Sequence, residues 1–446
     1  MPCPYNDSRF PHENAGASET TCDKGGGVLS YKLFVQRRVS LWLSERENDM
    51  ARFWRGAMIL AAAAVVGVSG CAKPKISAGP VTKNFYRELP AGASALRKIT
   101  DPARIPDFRP AWADRAGLQE ALDESVRYMA APSSKKYYPV QGEITHARVS
   151  ASLALFAELL QSSATPEELQ QRLVAAFDVY VSVGCDDQGS VLFTGYYTPI
   201  FDASLTPTEE YKHPLRKRPT DLVSDAEGNI LGRREAGGTV VPYYTRAEID
   251  AGALKGCELV YLKDRFEAYV CTIQGSARLR LPDGGWFNVG YAGNNGKEHT
   301  AIGRLMIQDG LIEPAQLSLS GLMSYFASHP DALDVYLPRN ERYVFFQKSD
   351  TDPQGSLGRP VTAYRSLATD KSLFPRGALV FVDTRIPAAD GGAQRPFKQF
   401  MFDQDAGGAI RAAGRADIYL GIGDEAGRIA GWTLNEGKLY YLIAKE

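Results

Sequence analysis

The sequence predicts a mainly β protein with flanking helices, in which one β domain is inserted into another. Segments typical of short strands fall in two blocks, which begin near Ser190 and near residue 342. Residues 300–330, between the blocks, are typical of helices, as are the residues before the first block. This order lacks the regular alternation of strand and helix found in a doubly wound parallel sheet. We therefore expect two β-barrel domains with helices at their junctions.

Composition excludes several classes of protein. The chain of 446 residues is 44% hydrophobic, which is enough for a large core and more than one domain. The formal net charge is -1, and no run of Lys and Arg is interleaved with aromatic residues, so nucleic-acid binding is not expected. The five histidines are scattered, and neither HExxH nor CxxC occurs, so no metal site or cofactor is expected.

Met50 begins a segment with the features of a signal peptide. Arg52 and Arg55 make its start positive, and residues 56–68 form an uncharged, mostly apolar run. A helix of this length rises only about 20 Å, too short to cross a hydrocarbon core of about 30 Å. We expect residues 50–70 to be a signal peptide. Residues 1–49 are then a leader that results from a start codon assigned too far upstream.

The end of this segment, Val68-Ser69-Gly70-Cys71, resembles a bacterial lipobox, in which the cysteine becomes diacylated after cleavage. Two acyl chains on Cys71 would anchor the protein stably in a bilayer, with residues 71–110 as anchor and tether. Ala72 stands where an Asp would resemble an inner-membrane retention signal, which favours the outer membrane, facing the periplasm. The alternative is an ordinary signal peptide that ends by chance at a cysteine.

Helices are predicted over residues 113–130, 148–163 and 166–180. The third has the clearest pattern, because Thr165 is a good N-cap and Pro166 is favoured at the first helical position. Its apolar residues recur on one helical face and are expected in the core: Leu169, Leu173, Phe177 and Tyr180.

The first strand block opens with residues 190–204, which are rich in β-branched and aromatic residues. Residues 282–285, Pro-Asp-Gly-Gly, predict a hairpin turn. Further strands are predicted at 239–244, 258–262, 266–273, 277–281, 286–291, 342–347, 359–365, 378–383, 397–403 and 415–420, with a last hairpin at 428–444 that turns at Asn435-Glu436-Gly437.

Three aspartates beside glycines are the candidates for chemistry: Asp383, Asp405 and Asp417. Glycines let a bulky polymer approach the backbone, and partial desolvation raises the pKa of a carboxyl group until it can donate a proton. The simpler explanation for each is a turn-forming Asp, and Asp403 is expected on the solvent face of its strand. Aromatic residues that could contact sugar rings are Tyr196, Tyr197, Tyr291 and Trp286; the first two alternate faces, so at most one points into a groove.

Six segments resemble, in the same order, the membrane-bound lytic murein transglycosylase A family. The resemblance covers about residues 85–446 and rests on FTGYYTP (193–199), IQGSARLRLPDG (273–284), VGYAGNNGKEHTAIGRLMIQDG (289–310), NERYVFFQ (340–347), residues 355–384 and DQDAGGAIRAAGRADIYLGIG (403–423). It implies a double-psi β-barrel with a second β-barrel domain inserted and a glycan-binding groove between them. The implied domains are residues 111–197, the insert at 198–335, and a 3D domain at 336–446.

The resemblance also implies an activity, cleavage of the β-1,4 bond between N-acetylmuramic acid and N-acetylglucosamine with formation of 1,6-anhydromuramyl ends. Asp417 matches the catalytic acid of the family, and Asp405 and Asp383 match the other two aspartates of the 3D domain. The implied partners are peptidoglycan glycan strands and the outer membrane. The expected substrate-binding residues are Gly195, Tyr196, Tyr197, Thr198, Gln274, Gly275, Ser276, Tyr291, Gly407 and Gly408.

Two alternatives stay open on the residues alone. One is a muramidase hydrolase that uses Asp405 together with Asp417, and the other is a non-catalytic cell-wall binding protein. The chain departs from the family at Ala277, where a glycine is usual. This change should be mild unless the backbone there needs a positive φ.

Overall fold

The computed structural model describes residues 83–225, 228–313, 317–388 and 393–446. The predicted leader, signal peptide and Cys71 lie outside these ranges, so the lipid-anchor prediction is not addressed by the fold. Among the described residues, no helix is long and apolar enough to cross a membrane.

The described chain is mostly β with helices around two main sheets, which confirms the predicted class. The strands are β1 Leu96–Lys98, β2 Phe177–Ser182, β3 Val191–Thr198, β4 Ile200–Ser204, β5 His213–Arg216, β6 Leu222–Ser224, β7 Ile230–Arg234, β8 Val240–Val241, β9 Glu258–Leu262, β10 Ala277–Arg280, β11 Trp286–Asn294, β12 Val344–Ser349, β13 Ser366–Ala368, β14 Leu379–Pro387, β15 Gln394–Asp405, β16 Arg415–Ile422 and β17 Leu434–Ala444.

The longer helices surround these strands. They are α1 Leu118–Ala130, α2 His146–Ser162, α3 Pro166–Ala176, α4 Arg265–Gln274, α5 Ile302–Gln308, α6 Leu319–Ser328, α7 Ala332–Tyr336 and α8 Asp424–Trp432. Short helical turns occupy Pro102–Arg104, Arg109–Trp112, Pro132–Tyr137, Arg246–Glu248, Ile249–Ala253 and Leu337–Arg339.

The first sheet has eight strands in the order β1-β2-β17-β14-β15-β13-β16-β3, and β17 also pairs with β3. The last pairing closes β17, β14, β15, β13, β16 and β3 into a ring, which we call the barrel. Ring closure removes exposed strand edges. The barrel interior and the helices α1 to α3 share one hydrophobic core.

The second sheet has six strands in the order β12-β11-β10-β4-β9-β5. All of its strands come from the chain between β3 and β13, so this sheet is inserted into the barrel sequence. It has its own core, built on Leu262, Cys271 and Phe346. We call it the inserted sheet; a third, small sheet of β6, β7 and β8 lies within the same stretch of chain.

Local sequence signals account for several elements. The Thr165 side chain accepts a hydrogen bond from the Glu168 backbone N–H, as a helix cap should. The predicted strand 258–262 coincides with β9. Residues 282–285 join β10 to β11, which pair antiparallel as expected of a hairpin. At the family departure, Ala277 lies in β10 without a positive φ, so its methyl group introduces no backbone strain.

The predicted strand 266–273 is wrong, because these residues form helix α4. Asp264 caps the helix by accepting hydrogen bonds from the backbone N–H groups of Phe266 and Glu267, and Gly275 ends it in the left-handed conformation at φ 80°. Tyr269 and Val270 lie three and four residues after Phe266, on the same buried face. Capping and helical burial therefore outweigh the β propensity of the side chains.

The predicted helix 166–180 is too long. It ends at Ala176, and Phe177 and Tyr180 lie in strand β2 instead. Both side chains are buried as expected, 1% exposed each, although on a strand rather than a helical face. A buried strand and a buried helical face share these apolar positions, so spacing alone did not separate them.

The predicted last hairpin is also wrong. Residues 424–432 form helix α8, and the chain then runs through the predicted turn as one strand, β17. Gly437 is required by packing rather than by a turn, because a Cβ at this position would lie 2.4 Å from the backbone oxygen of Asp383.

Two further predicted strands differ from the structure. The strand predicted at 239–244 is reduced to Val240–Val241, and residues 359–365 form no strand. In the latter stretch the chain turns so that the Arg365 guanidinium is buried, where it donates to the backbone oxygens of Ala116 and Asp114.

Candidate active site

Asp417 lies on barrel strand β16, between β3 and β13. Its backbone is opposite Thr194 of β3 and Ala368 of β13. Ala368 is also opposite Asp405 of strand β15. The two aspartates therefore flank the same short strand at the same level of the barrel, which the spacing of twelve residues between them does not reveal.

The Asp417 carboxyl group is shielded and incompletely satisfied. Its Oδ1 atom is buried and has no hydrogen-bond partner among the residues that the structure describes. Burial raises the pKa of Asp417 to about 7, and the negative charge of Asp405 adds to the rise. The Arg415 charge and a hydrogen bond with Thr194 act in the opposite direction without cancelling the effect of burial. At neutral pH this group can therefore both hold and release a proton.

In contrast, both carboxylate oxygens of Asp405 accept hydrogen bonds. One oxygen accepts from the Tyr196 hydroxyl at 2.7 Å, and the other accepts from the backbone N–H groups of Ser356 at 2.7 Å and Ala406 at 2.8 Å. Burial raises the pKa of Asp405, and these hydrogen bonds oppose the rise. The carboxylate thus fixes both the loop at Ser356 and the turn that begins at Ala406.

A chain of hydroxyl groups extends from this site towards the inserted sheet. The Tyr196 ring packs against Tyr419 with centroids 5.1 Å apart. The Tyr419 hydroxyl lies 3.0 Å from Thr198 Oγ1, which lies 3.1 Å from Ser276 Oγ. Ser276 directly precedes β10, so this network connects the barrel to the inserted sheet beside the two aspartates.

Asp383 is not brought to the other two aspartates. It lies on β14, where it forms an ion pair with Lys398 at 2.9 Å. Lys398 is its neighbour on β15, seven residues before Asp405, which corresponds to about 20 Å along a strand. A direct contact with the reacting groups is therefore not available to Asp383 in this arrangement.

Asp403 is not on a solvent-facing surface, so this prediction is wrong. Its side chain is 0% exposed and accepts hydrogen bonds from Thr369 Oγ1 at 2.8 and 2.9 Å and from the Tyr441 hydroxyl at 2.7 Å. The buried Lys371 ammonium group completes its surroundings with an ion pair. We call these four residues the Asp403 cluster. The chain closes a barrel around this position, a long-range event that alternation along one strand does not encode.

Two of the predicted binding residues face away from the aspartates. A Cβ at Gly195 would lie 2.5 Å from Leu420 Cδ1 and 3.0 Å from Ala430 Cα, so this glycine lets helix α8 pack closely. Tyr197 is 5% exposed, and its ring fills the space beside Gly427. Of the two adjacent tyrosines, Tyr196 is the one whose side chain contacts Asp405.

The remaining predicted binding residues come from three segments of the chain, around residues 274, 291 and 407. Gln274 Oε1 accepts from the Tyr197 backbone N–H at 3.1 Å, and a Cβ on the neighbouring Gly275 would meet nothing within 4 Å. Tyr291 of β11 is 47% exposed, with its hydroxyl 2.6 Å from Asn294 Nδ2. Gly407 packs on Ile410, and Gly408 lies against the guanidinium group of Arg342.

Sequence reasoning missed four residues at this site: Tyr86, Arg342, Ser356 and Arg415. Arg415 was within reach, because residues two apart on a strand share a face and Arg415 precedes Asp417 by two. Its guanidinium group donates to Thr194 Oγ1 at 3.1 Å. The others arrive from distant parts of the chain and carry no local signal.

Tyr86 belongs to an N-terminal segment that docks on the barrel. Its ring lies 5.2 Å from the Arg415 guanidinium carbon and 5.3 Å from that of Arg304 in helix α5. Lys83 forms an ion pair with Glu436, and Arg87 forms one with Asp187 at 2.6 Å. The segment therefore reaches the strand that carries Asp417.

In the described ranges, no group of three or more His, Cys, Asp or Glu side chains could hold a metal ion.

Two known domains match the chain over these regions. The MltA specific insert domain matches residues 192–347, and the 3D domain matches residues 365–443. The chain is 30% identical over 270 residues to the membrane-bound lytic murein transglycosylase A of Escherichia coli, which covers 59% of this chain and 69% of that protein. It is 30% identical over 312 residues to the protein of the same name from Vibrio cholerae, covering 68% and 78%.

Solved structures share the fold. A membrane-bound lytic murein transglycosylase from Agrobacterium tumefaciens superposes with a TM-score of 0.64 at 26% identity, covering 78% of this chain and 98% of that one. Escherichia coli MltA with bound chitohexaose superposes with a TM-score of 0.61 at 24% identity, covering 82% and 100%. The barrel with its inserted sheet is therefore an architecture that this chain shares with known structures.

Proposed function

The chain belongs to the membrane-bound lytic murein transglycosylase A family, and from this premise we propose that Asp417 is the acid and base of its reaction. The chain is a lytic transglycosylase that acts on peptidoglycan. The observation that carries the proposed role is the shielded Asp417 carboxyl group, which has a pKa of about 7 and one oxygen without a partner among the residues described. A group with this pKa changes protonation state readily at neutral pH.

In the first step, protonated Asp417 donates its proton to the glycosidic oxygen between N-acetylmuramic acid and N-acetylglucosamine. The bond from that oxygen to the muramyl anomeric carbon breaks through an oxocarbenium-like state, and N-acetylglucosamine leaves with a free 4-hydroxyl. Arg415 and Thr194 favour the Asp417 carboxylate that remains, because their interactions with it are stronger when it is charged.

In the second step, the Asp417 carboxylate accepts the proton of the muramyl 6-hydroxyl while that oxygen bonds to the anomeric carbon. The product is a 1,6-anhydromuramyl end, no water is consumed, and Asp417 returns to its protonated state. Because the nucleophile is the hydroxyl of the substrate itself, a second catalytic carboxylate is not required, unlike in the usual glycosidase pair.

We assign Asp405 a supporting role. Its oxygens accept three hydrogen bonds, which leave it poorly placed to activate water, and its charge contributes to the raised pKa of Asp417. Asp383 affects the reaction at most through the barrel, given its ion pair with Lys398. A muramidase hydrolase with Asp405 as its second carboxylate is the alternative, and it would need Asp405 free of these bonds.

The glycan strand is proposed to bind between the barrel and the inserted sheet. The open space at Gly275, the exposed Tyr291 and the Gly407-Gly408 turn would line its path. The related Escherichia coli structure contains chitohexaose, a chain of sugars, which supports a glycan as the ligand here. Gln274 is a proposed polar contact for sugar hydroxyl or N-acetyl groups, since its amide can donate and accept.

The activity test is digestion of purified peptidoglycan sacculi by the wild-type protein, followed by mass analysis of the muramyl ends. We expect 1,6-anhydro ends and no incorporation of heavy oxygen from labelled water. Reducing ends that carry heavy oxygen would indicate the hydrolase, and intact glycan would indicate a binding protein. Any of these outcomes is read from the same digest.

We propose that the mature protein is an outer-membrane lipoprotein anchored through Cys71 and facing the periplasm. The Val68-Ser69-Gly70-Cys71 sequence and the membrane-bound relatives support this placement. The Cys71→Ala variant should lose acyl labelling and leave the outer-membrane fraction, either as a soluble periplasmic protein or as an uncleaved precursor. A wild-type protein without an acyl label would contradict the proposal.

A further inference from the structure

Arg342 carries a half-buried positive charge that forms no ion pair with a carboxylate of the described residues. It precedes strand β12 by two residues, and its Nη1 atom donates to the backbone oxygen of Lys297 at 3.0 Å. No Asp or Glu of the described chain lies within salt-bridge distance of its guanidinium group, and its Nε and Nη2 atoms make no hydrogen bond there. Burial lowers the pKa of Arg342, which marks the cost of holding an unpaired charge at this place.

The guanidinium group of Arg342 lies next to the turn that follows Asp405. A Cβ on Gly408 would lie 2.9 Å from Arg342 Nε and 3.1 Å from Nη2, so the missing side chain lets the guanidinium group lie directly on the turn that follows Asp405. Gly408 follows Asp405 by three positions, which limits the separation of their Cα atoms to about 11 Å. The exposed Tyr291 is near enough to interact electrostatically with Arg342. Arg342 therefore lies against the Gly407-Gly408 turn and in the vicinity of the predicted sugar-contacting tyrosine.

The other charged groups around Arg342 leave the region positive. Arg411 and Lys297 are cationic, and Arg411 is close enough to lower the pKa of Arg342 further. Glu298 is the acidic residue that interacts with Arg342. His299 is neutral at physiological pH, because burial and the neighbouring arginines lower its pKa to about 4. An anion would thus be favoured here.

We propose that Arg342, seated on the Gly407-Gly408 turn, is a subsite for the carboxylate of the 3-O-lactyl arm of a muramyl residue. This inference rests on the proposed function, because it assumes a glycan that contains muramic acid. The side of a guanidinium group that carries Nε and Nη2 pairs with a carboxylate through two parallel hydrogen bonds. The lactyl carboxylate is free only where the stem peptide has been removed, so the subsite favours peptide-free strands.

The test compares Arg342→Gln, Arg342→Lys and the wild type on two substrates, peptide-free glycan strands prepared with an amidase and intact peptide-bearing strands. Arg339→Gln is the matched control, since Arg339 pairs with Asp309 near the surface, three residues away in sequence. We expect Arg342→Gln to raise KM on peptide-free strands about 10-fold to 100-fold, the usual effect of losing a charge-assisted hydrogen bond. The kcat should change much less, and Arg342→Lys should recover part of the loss.

Binding measurements separate this subsite from the chemistry. Affinities for peptide-free strands and for neutral chitohexaose are measured in an Asp417→Asn background, with and without Arg342→Gln. We expect weaker binding of the charged strand and unchanged binding of chitohexaose. Equal losses on both ligands, or a lowered melting temperature, would mean that Arg342 only supports the turn and would overturn the proposal.

Two other outcomes are also decisive. A larger loss on intact strands than on peptide-free strands would place the recognised carboxylate on the stem peptide and reject the lactyl assignment. A wild-type protein that forms no anhydro ends but still discriminates charged from neutral strands through Arg342 would refute the proposed reaction and leave the subsite standing.

Discussion

Two carboxylates of the same barrel, Asp403 and Asp417, have opposite surroundings. Asp403 is enclosed by the buried Lys371 ammonium group and by hydroxyl donors from Thr369 and Tyr441. Asp417 has one buried oxygen without a hydrogen-bond partner in the described part of the chain, and a pKa of about 7. Asp403 is fully buried, whereas Asp417 is only partly buried as a residue. The two carboxyl groups also differ in the number of their hydrogen-bond and ion-pair partners.

This contrast explains how one protein can use the same side chain in two ways. A buried carboxylate that pairs with a cation and with hydroxyl donors ties strands together. A shielded carboxyl group with few partners is held close to the point of protonation, which is unfavourable for folding but necessary for proton transfer. The barrel therefore combines a structural ionic cluster with the acid that we propose for the reaction, and each can be altered separately.

The largest expected effect is the loss of activity in Asp417→Asn. This change keeps shape and volume but cannot cycle a proton, and loss of general acid–base catalysis costs about 10²–10⁴-fold per function. Since one residue serves both steps, turnover of sacculi should fall below detection. Thermal unfolding should show a folded protein. Full activity in this variant would refute the assignment of Asp417.

Asp403→Asn should instead damage the fold. It leaves the Lys371 ammonium group buried without its counter-ion, and breaking a buried ion pair typically costs about 3–5 kcal/mol. Denaturant unfolding measures the loss. The control is Asp187→Asn, which removes an exposed ion pair with Arg87 and should cost no more than about 1 kcal/mol. If the two substitutions lower the free energy of unfolding equally, the structural role of the Asp403 cluster is contradicted.

The pH dependence of stability should distinguish the reactive acid from the structural one. The folded pKa of Asp417, about 7, lies above its unfolded value of 3.8, so the folded state binds more protons between these pH values. Stability from this group is therefore present below about pH 4 and is lost as pH rises towards 7. In the Asp417→Asn variant, this loss of folding stability with rising pH is absent.

The variant should be more stable than the wild type at pH 8, on the order of 2–4 kcal/mol, and no more stable at pH 4. Chemical denaturation at the two pH values measures the difference. A constant difference between variant and wild type across this range would show that Asp417 titrates as an ordinary exposed carboxyl group.

The smallest expected effect is that of Tyr196→Phe. Asp405 loses one of its three hydrogen bonds, which contributes about 1–2 kcal/mol, and the two backbone donors remain. Turnover should fall several-fold, while the product keeps its anhydro end. If turnover falls as far as in Asp417→Asn, Asp405 takes a direct part in the chemistry.

Much of the fold was predictable where a local signal is strong. The Thr165 cap and the hairpin around residues 282–285 are examples. The prediction failed where local composition opposed the tertiary structure. Helix α4 is rich in aromatic and β-branched residues, and β17 contains a turn-like Asn-Glu-Gly that instead pairs with β3. Residue propensity is a weak prior when burial and capping favour another element.

The site divides in the same way. Asp405 and Asp417 were predicted from their glycine-rich context and from resemblance, and strand alternation would also have pointed to Arg415, which was missed. Arg342 and Tyr86 reach the site from the inserted sheet and from the N-terminal segment, so no spacing in the sequence brings them together. The pairing of Asp405 and Asp417 with Ala368 is likewise a property of the closed barrel.

The docking of the N-terminal segment would limit the distance from the membrane that a lipid-anchored enzyme can reach. Lys83 and Arg87 hold this segment on the barrel beside the strand of Asp417. With a lipid on Cys71, as proposed, Lys83 follows the anchor by twelve positions (83 − 71 = 12). Fully extended, they span at most about 43 Å. With this anchor, the depth of wall that the enzyme could cut would be bounded by the tether together with the size of the folded domain, so reach as well as affinity would limit how much substrate each molecule meets.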